Sequence, residues 1–245
     1  EYLAFEGALD YDTLELSDIL AKHISISADI CSKIKVLPYF ERYLTSGYYP
    51  FYKEEGDGYL SRVQEVVTQT IDVDIPAVEE VEYETLQKLK KLLMILSVQV
   101  PFIPKMNELY QELGTNREQG LKLLNILEDA RLISMLKTPV KAIKHLSAPD
   151  KLYLDNTNLM YALSSNVQIG TTRETFFMNQ LSVEHEVALP SKGDFKIDGK
   201  YLFEVGGRKK SFEQIKDEEN SYLAIDSIET GNGNRIPLWL FGFIV

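Results

Sequence analysis

The sequence predicts an α+β chain of more than one domain, in which a helical part precedes a part that mixes helices with a sheet. Three observations carry this expectation. Apolar residues recur at helical spacing from Thr13 to Asp129. From Leu152 onward, short apolar runs bounded by turn residues alternate with helical stretches. At 245 residues, with 44% hydrophobic and 26% charged positions, the chain is long enough to bury more than one core. The expected divisions are a helical segment over 1–84, helices ending in a β-like pair over 85–150, and a mixed-sheet α/β domain over 151–245.

In the first segment, Thr13 is a candidate N-cap for a helix carrying Leu16, Ile19 and Leu20 on one face. Helical spacing continues through Ile30, Ile34, Leu37 and Phe40 to Gly47, a C-cap candidate. An aromatic loop, GYYPFYKEEGDG, precedes another helix with Val63, Val66 and Val67 as its apolar stripe. The second segment opens on YETLQKLKKLLMILSVQV, an amphipathic helix stopped by Pro101 and Pro104, followed by the short helix KMNELYQELG. Thr115 and Glu118 have the spacing of a capping box at the head of the next helix. Two β-like runs follow, Leu132 to Leu136 and Ala142 to Leu146. Helix, short helix, capped helix and β-hairpin is the order of a winged helix-turn-helix.

The third segment reads as strand (KLYLDN), short helix, and a helix TTRETFFMNQLSV capped by Thr171 or Thr172. Strands EVALP, DFKI and YLFEV come next, then a helix SFEQIKDEEN with Ser211 as N-cap. Strands YLAID and LWLFGFIV close the chain, the last wholly apolar and so expected at the centre of the sheet.

Net charge is −11, against a non-specific nucleic-acid coat protein. The charge is uneven: Glu54 to Glu84 holds ten acids against Arg62 alone. No apolar run is long enough to span a membrane, and no signal-peptide pattern is present. A lone Cys31 forms no internal disulfide and fits a reducing cytoplasm. His23 has no second histidine at ligand spacing. There is no phosphate loop, since Gly199-Lys200 is followed by tyrosine, and no dinucleotide fingerprint or Ser/His/Asp signal.

Chemistry gathers in GDFKIDGKYLFEVGGRKK. Asp198-Gly199 is a hairpin turn dipeptide, which brings Asp194 on one strand towards Glu204 on the next. Carboxylates placed this way can hold Mg²⁺ through oxygen, and a lysine can stabilise charge on a phosphate. Glu174, on the preceding helix, is a third candidate metal ligand, and the Val205 carbonyl a neutral one. Asp194 and Glu204 read equally as a strand opener and a partner of a nearby base. The spacing resembles the PD-(D/E)xK nuclease-like fold over about 152–245. That resemblance matches Asp194 and Glu204 to the family's acids and puts Gly206 where its lysine belongs. Lys209 or Lys210 can supply the ammonium from a shifted position. For the helix from Thr115 to Asp129, nucleic-acid contact is expected through Asn116, Arg117, Gln119 and Lys122, with Lys137, Lys141, Lys144 and Lys151 reaching phosphates from the wing.

The whole order of elements, with GTTRETFFMNQL, DGKYLFEVGGRKK and IPLWLFGF, resembles the C-terminal half of a family of prokaryotic AAA-type ATPases with an N-terminal P-loop module and a nuclease-like C-terminal domain. The first residue is Glu1 rather than Met, so the chain is expected to be a fragment. The resemblance implies ATP binding only in the module outside this fragment. The expected role is a nucleic-acid-binding or regulatory module, with a Mg²⁺-dependent DNA endonuclease and a purely protein–protein assembly module as alternatives. DNA, the chain's own ATPase module and further copies of the chain are the partners this leaves to test.

Overall fold

Helical periodicity and turn chemistry become the following elements in a computed structural model that describes residues 1–99, 103–142 and 147–244. The longer helices are α1 (Leu16–Lys33), α2 (Val36–Ser46), α3 (Tyr59–Gln69), α4 (Tyr83–Gln99), α5 (Met106–Leu113), α6 (Arg117–Asp129), α7 (Thr157–Leu163) and α8 (Ile169–Leu181). The strands are β1 (Ile133–Leu136), β2 (Lys151–Leu154), β3 (Val187–Ala188), β4 (Phe195–Ile197), β5 (Tyr201–Gly206), β6 (Ser221–Ile225) and β7 (Arg235–Pro237). The chain is α+β and makes two compact units, one of Phe51–Thr171 and one of Glu1–Pro50 with Thr172–Val245. Residues 1–50, expected within a helical segment of their own, thus belong with the C-terminal sheet. No helix among the described residues is long and apolar enough to cross a membrane.

In the unit Phe51–Thr171, α3 runs into a π-helical stretch, Thr70–Asp74, where the Ile75 N–H reaches back to the Thr70 carbonyl. Leu89, Leu92 and Leu96 of α4 are buried, as are Leu124 and Leu127 of α6. Buried polar groups on α7 are satisfied from α3: the Tyr59 hydroxyl donates to Asn158 Oδ1, and Gln64 Nε2 donates to the Ala162 carbonyl. Helix α5 ends at Gly114 with φ of 63°, a left-handed cap. Asn116, not Thr115, caps α6, its Oδ1 accepting the Gln119 N–H at 2.9 Å. The capping side chain sits one residue later than the capping-box spacing predicts, because the chain leaves α5 with the Thr115 N–H still bonded to the Tyr110 carbonyl.

Strand β1 finds its partner in β2, antiparallel, with Ile133 opposite Leu154 and Leu136 opposite Lys151. The expected second β-run, Ala142 to Leu146, falls outside the described residues save for Ala142, which ends a single helical turn, Pro139–Ala142. Strand β2 was expected to begin the α/β part; it belongs to the two-stranded sheet instead.

In the other unit the sheet order is β3-β4-β5-β6-β7, antiparallel through β5 and parallel from β5 to β7. Side chains alternate along β4 and β5. Phe195 and Phe203 meet Phe177 of α8 at ring separations of 5.3 and 5.0 Å, so the odd-numbered positions face that helix. Leu202 faces the other way, into a cluster with Leu223, Ile225 and Ile215. Helix α1 packs on β7 and begins at Leu16 after Glu15, three residues past the predicted Thr13 cap. Helix α8, by contrast, starts before its predicted cap, with Thr171 and Thr172 inside its first turn.

Two element types are overturned as well. SFEQIKDEEN is a run of turns, not a helix: Ser211 Oγ accepts the Glu213 N–H two residues on, a local bond that competes with helix initiation, and only Ile215 is fully buried. LWLFGFIV is not a central strand. Pro237 ends β7, and Leu238–Phe243 forms a 3₁₀-helix whose Leu238, Trp239, Leu240 and Phe241 are all buried. A wholly apolar run carries no period that separates a strand from a buried helix.

Gly120 on α6 has a packing role. A Cβ there would lie 2.3 and 2.4 Å from two ring carbons of the buried Tyr110 on α5. Gly120→Ala is therefore expected to lower unfolding free energy by about 1–3 kcal/mol through overpacking, despite alanine's better helix propensity. Urea unfolding of the variant and of Gly120→Ala/Tyr110→Leu checks this, the second recovering part of the loss.

Candidate functional site

The site begins with the turn between β4 and β5. Asp198 and Gly199 have φ of 53° and 65°, left-handed values that a tight turn needs; the Lys200 N–H closes the turn on the Ile197 carbonyl at 2.9 Å, and Asp198, Gly199 and Lys200 connect the paired Ile197 and Tyr201. The strained Asp198 is held from outside the turn: its Oδ1 accepts the Glu186 N–H at 3.0 Å and its Oδ2 lies 2.8 Å from His185 Nδ1. This turn fixes Phe195 opposite Phe203. Asp194 consequently falls opposite Glu204, and its N–H donates to the Phe203 carbonyl at 2.8 Å.

Glu204 occupies an even position of β5, on the face away from α8, and is 1% exposed. Asp194 Oδ2 accepts the Val205 N–H at 2.8 Å. Glu204 Oε1 is buried and has no hydrogen-bond partner. An orphaned carboxylate oxygen inside a protein is costly unless a cation balances it. The balancing group is Lys210, whose Nζ lies 3.4 Å from Glu204 Oε2 and 3.6 Å from Asp194 Oδ2. Both distances exceed hydrogen-bond length, so the ammonium sits between the two carboxylates without closing on either.

Gly206 explains how Lys210 reaches them. A Cβ on Gly206 would lie 2.8 Å from Cβ, Cγ and Cδ of Lys210. The lysine stem therefore occupies the space that a side chain at 206 would fill, two positions beyond Glu204 on the same face. Residues Gly207 to Lys210 form a turn closed by the Lys210 N–H on the Gly207 carbonyl at 2.9 Å. Lys209 is exposed on that turn. The next glycine serves the other face: a Cβ on Gly207 would meet the Arg173 guanidinium at 3.1–3.3 Å. Arg173 Nε donates to Asp226 Oδ2 at 2.8 Å in a largely buried pair at the end of β6. Sequence reasoning missed Arg173 on α8, Asp226 just past β6 and Arg235 on β7; they come near the end of β5 only through tertiary packing, which leaves no local signal.

Glu174 rides on α8, the helix packed against the odd-numbered face. Among the described residues no group of three His, Cys, Asp or Glu side chains is gathered closely enough to hold a metal ion. The structure thus brings together Asp194, Glu204 and Lys210, and does not add Glu174 to them. As donors, the two carboxylates are hard oxygens of the kind that Mg²⁺ and Mn²⁺ take.

The residues expected to meet nucleic acid fall into two groups. Arg117, Gln119 and Lys122 are exposed on α6, and exposed Asn116 is spent as its cap. Lys137 is half-buried at the end of β1. Lys141 is ion-paired with Asp150 at 2.6 Å, which offsets its charge, and Lys144 lies outside the described residues.

A half-buried acid, Glu128, and a buried one, Asp155, flank the β1–β2 pair. Glu128 Oε1 accepts the Met135 N–H at 2.9 Å, and burial pushes its carboxyl up from the ordinary value. Asp155 Oδ1 accepts from Ser134 Oγ, and burial pushes its carboxyl up to about 6. With a folded value above the unfolded one, the native state alone keeps this proton between the ordinary aspartate range and about 6. Stability therefore falls as pH rises through that window and stays reduced above it. Asp155→Asn, which keeps an acceptor for Ser134, is expected to stabilise the protein at about pH 8 by roughly 1–3 kcal/mol and to change little at about pH 3. Thermal unfolding across that range checks the sign.

Residues 37–170 match the model of a family described as a domain of unknown function (DUF8612). No curated protein and no solved structure matches the chain. The matched stretch ends before Asp194, so the acid–lysine site lies outside it.

Proposed function

The chain belongs to the DUF8612 family, and we propose that it acts on nucleic acid at a metal-dependent phosphodiester-cleaving site formed by Asp194, Glu204 and Lys210. The observation that carries this reading is the seat of Lys210. Its stem fills the space over Gly206 and its ammonium lies within 3.6 Å of both carboxylates. The lysine that the PD-(D/E)xK pattern expects at 206 is thus supplied from four residues later.

The residues fit a divalent cation by one test: the buried, unpartnered Oε1 of Glu204 is an oxygen that a cation would satisfy. Asp194 and Glu204 would hold it. Such an ion supplies charge neutralisation and an activated water. Lys210 would stabilise charge growing on the phosphate, and the Val205 N–H would hold Asp194 in place through Oδ2, the oxygen that faces Lys210. The order α8, β3, β4, β5, β6 supports a nuclease-like core, with turns replacing the helix between β5 and β6. The order α4, α5, α6, β1, β2 supports a winged helix-turn-helix, with Arg117, Gln119 and Lys122 as its exposed contacts. On this reading the chain works in the cytoplasm with DNA as its partner, beside a P-loop ATPase module that would supply the ATP chemistry.

One observation favours a second reading. Only two acids meet Lys210, so the ammonium could serve as a permanent stand-in for the metal, leaving a binding and regulatory module. Calorimetric titration with Mn²⁺ separates the two. The cleavage reading expects binding by the wild type and none by Asp194→Ala/Glu204→Ala. Binding by Lys210→Met but not by the wild type would instead establish the stand-in. Absence of binding by all three proteins would overturn the metal-dependent site.

A further inference from the structure

We infer that Arg235 is a positioning residue for Lys210, fixing from β7 the turn that carries the lysine onto the two acids. This inference rests on the reading of Lys210 as the cation of the acid pair.

The register places Glu204, Leu223 and Arg235 side by side across β5, β6 and β7. Neighbouring strands share the direction of their side chains at matched positions, so Arg235 rises on the same face as Glu204. Its Nη1 donates to the Lys210 carbonyl at 2.9 Å and its Nη2 to the Arg208 carbonyl at 2.7 Å. Among the described residues no carboxylate pairs with Arg235. The guanidinium fork is spent on two backbone oxygens of a single turn, a geometry that the rigid planar fork suits and a lone ammonium does not. Arg208 adds a tether in the opposite direction, its Nε donating to the Ser227 carbonyl at 2.9 Å just past β6.

The turn Gly207–Lys210 has a single internal hydrogen bond, from the Lys210 N–H to the Gly207 carbonyl. With a glycine at its head and no strand beyond it, that bond alone leaves the direction of Lys210 unfixed. The two bonds from Arg235 select the orientation in which the stem of residue 210 lies over Gly206. Arg235 touches neither acid, so its contribution to the site runs through Lys210.

The test is the ¹H–¹⁵N signal of the lysine side-chain amine, which is visible where an ion pair slows exchange with water. The wild type is expected to show a Lys210 Nζ signal that Lys210→Met removes. Arg235→Gln is expected to lose or strongly broaden it, and Arg235→Lys, which can reach one carbonyl, to recover part of it. Signals of other paired lysines, such as Lys33 on Asp29, are expected to stay, and a general loosening of the fold would not spare them. Should Arg235→Gln fail to fold, Arg235→Lys carries the comparison. A Lys210 signal untouched in a folded Arg235 variant overturns the inference, as does its absence from the wild type. Failure of Mn²⁺ binding alongside the expected signal changes would remove the cleavage reading and leave the role of Arg235 standing.

Discussion

Asp198 and Gly199 both take positive φ in a tight turn closed by the Lys200 N–H on the Ile197 carbonyl, and the three-residue connection that results sets Ile197 opposite Tyr201 and with it the register between β4 and β5. Everything at the candidate site depends on that register. A slip of one residue would turn Glu204 into the aromatic layer of Phe177, Phe195 and Phe203, and would bring a phenylalanine onto the face that holds Lys210. The strain at Asp198 is offset by bonds from Glu186 and His185 just before β3, so the turn is fixed from outside the hairpin as well as within it. Aromatic packing on one face and the acids on the other are two consequences of one alternation.

The second constraint is space. A strand end with two successive glycines is weak by propensity. Here each glycine leaves room for a cation: Lys210 lies over Gly206 and Arg173 faces Gly207. The site's positive charge therefore comes from a loop held in place by β7 rather than from β5 itself. The arrangement puts the ammonium beside the acids while keeping its backbone outside the ladder.

The hairpin was legible because its signals are local. An Asp-Gly dipeptide between short apolar runs predicts the turn and brings Asp194 towards Glu204; the observed register, with three residues between Ile197 and its partner Tyr201, sets the two acids directly across from each other. Most helices were legible for the same reason, as with α4 and the left-handed Gly114. The seat of Lys210 was legible only as one of two candidates, because what selects it over Lys209 is Arg235, distant in sequence and adjacent only through the parallel pairing of β6 and β7. The pairing of β1 with β2 was hidden by a nearer β-like run at Ala142. The helix predicted over SFEQIKDEEN failed because Ser211 bonds its own turn, and the strand predicted over LWLFGFIV because an apolar run without period fits either structure.

The central claim is that Lys210 serves the two acids in place of a lysine at 206, and moving the lysine tests it most directly. Gly206 has ordinary backbone geometry, outside the left-handed region, so it can accept a side chain once Lys210 is removed. The measurement is Mn²⁺-dependent cleavage of labelled DNA by the wild type, by Lys210→Gly, and by Lys210→Gly/Gly206→Lys. The account predicts cleavage by the first, loss in the second and recovery in the third. Cleavage that survives Lys210→Gly unchanged, or a wild type that cleaves nothing while binding Mn²⁺, would contradict it.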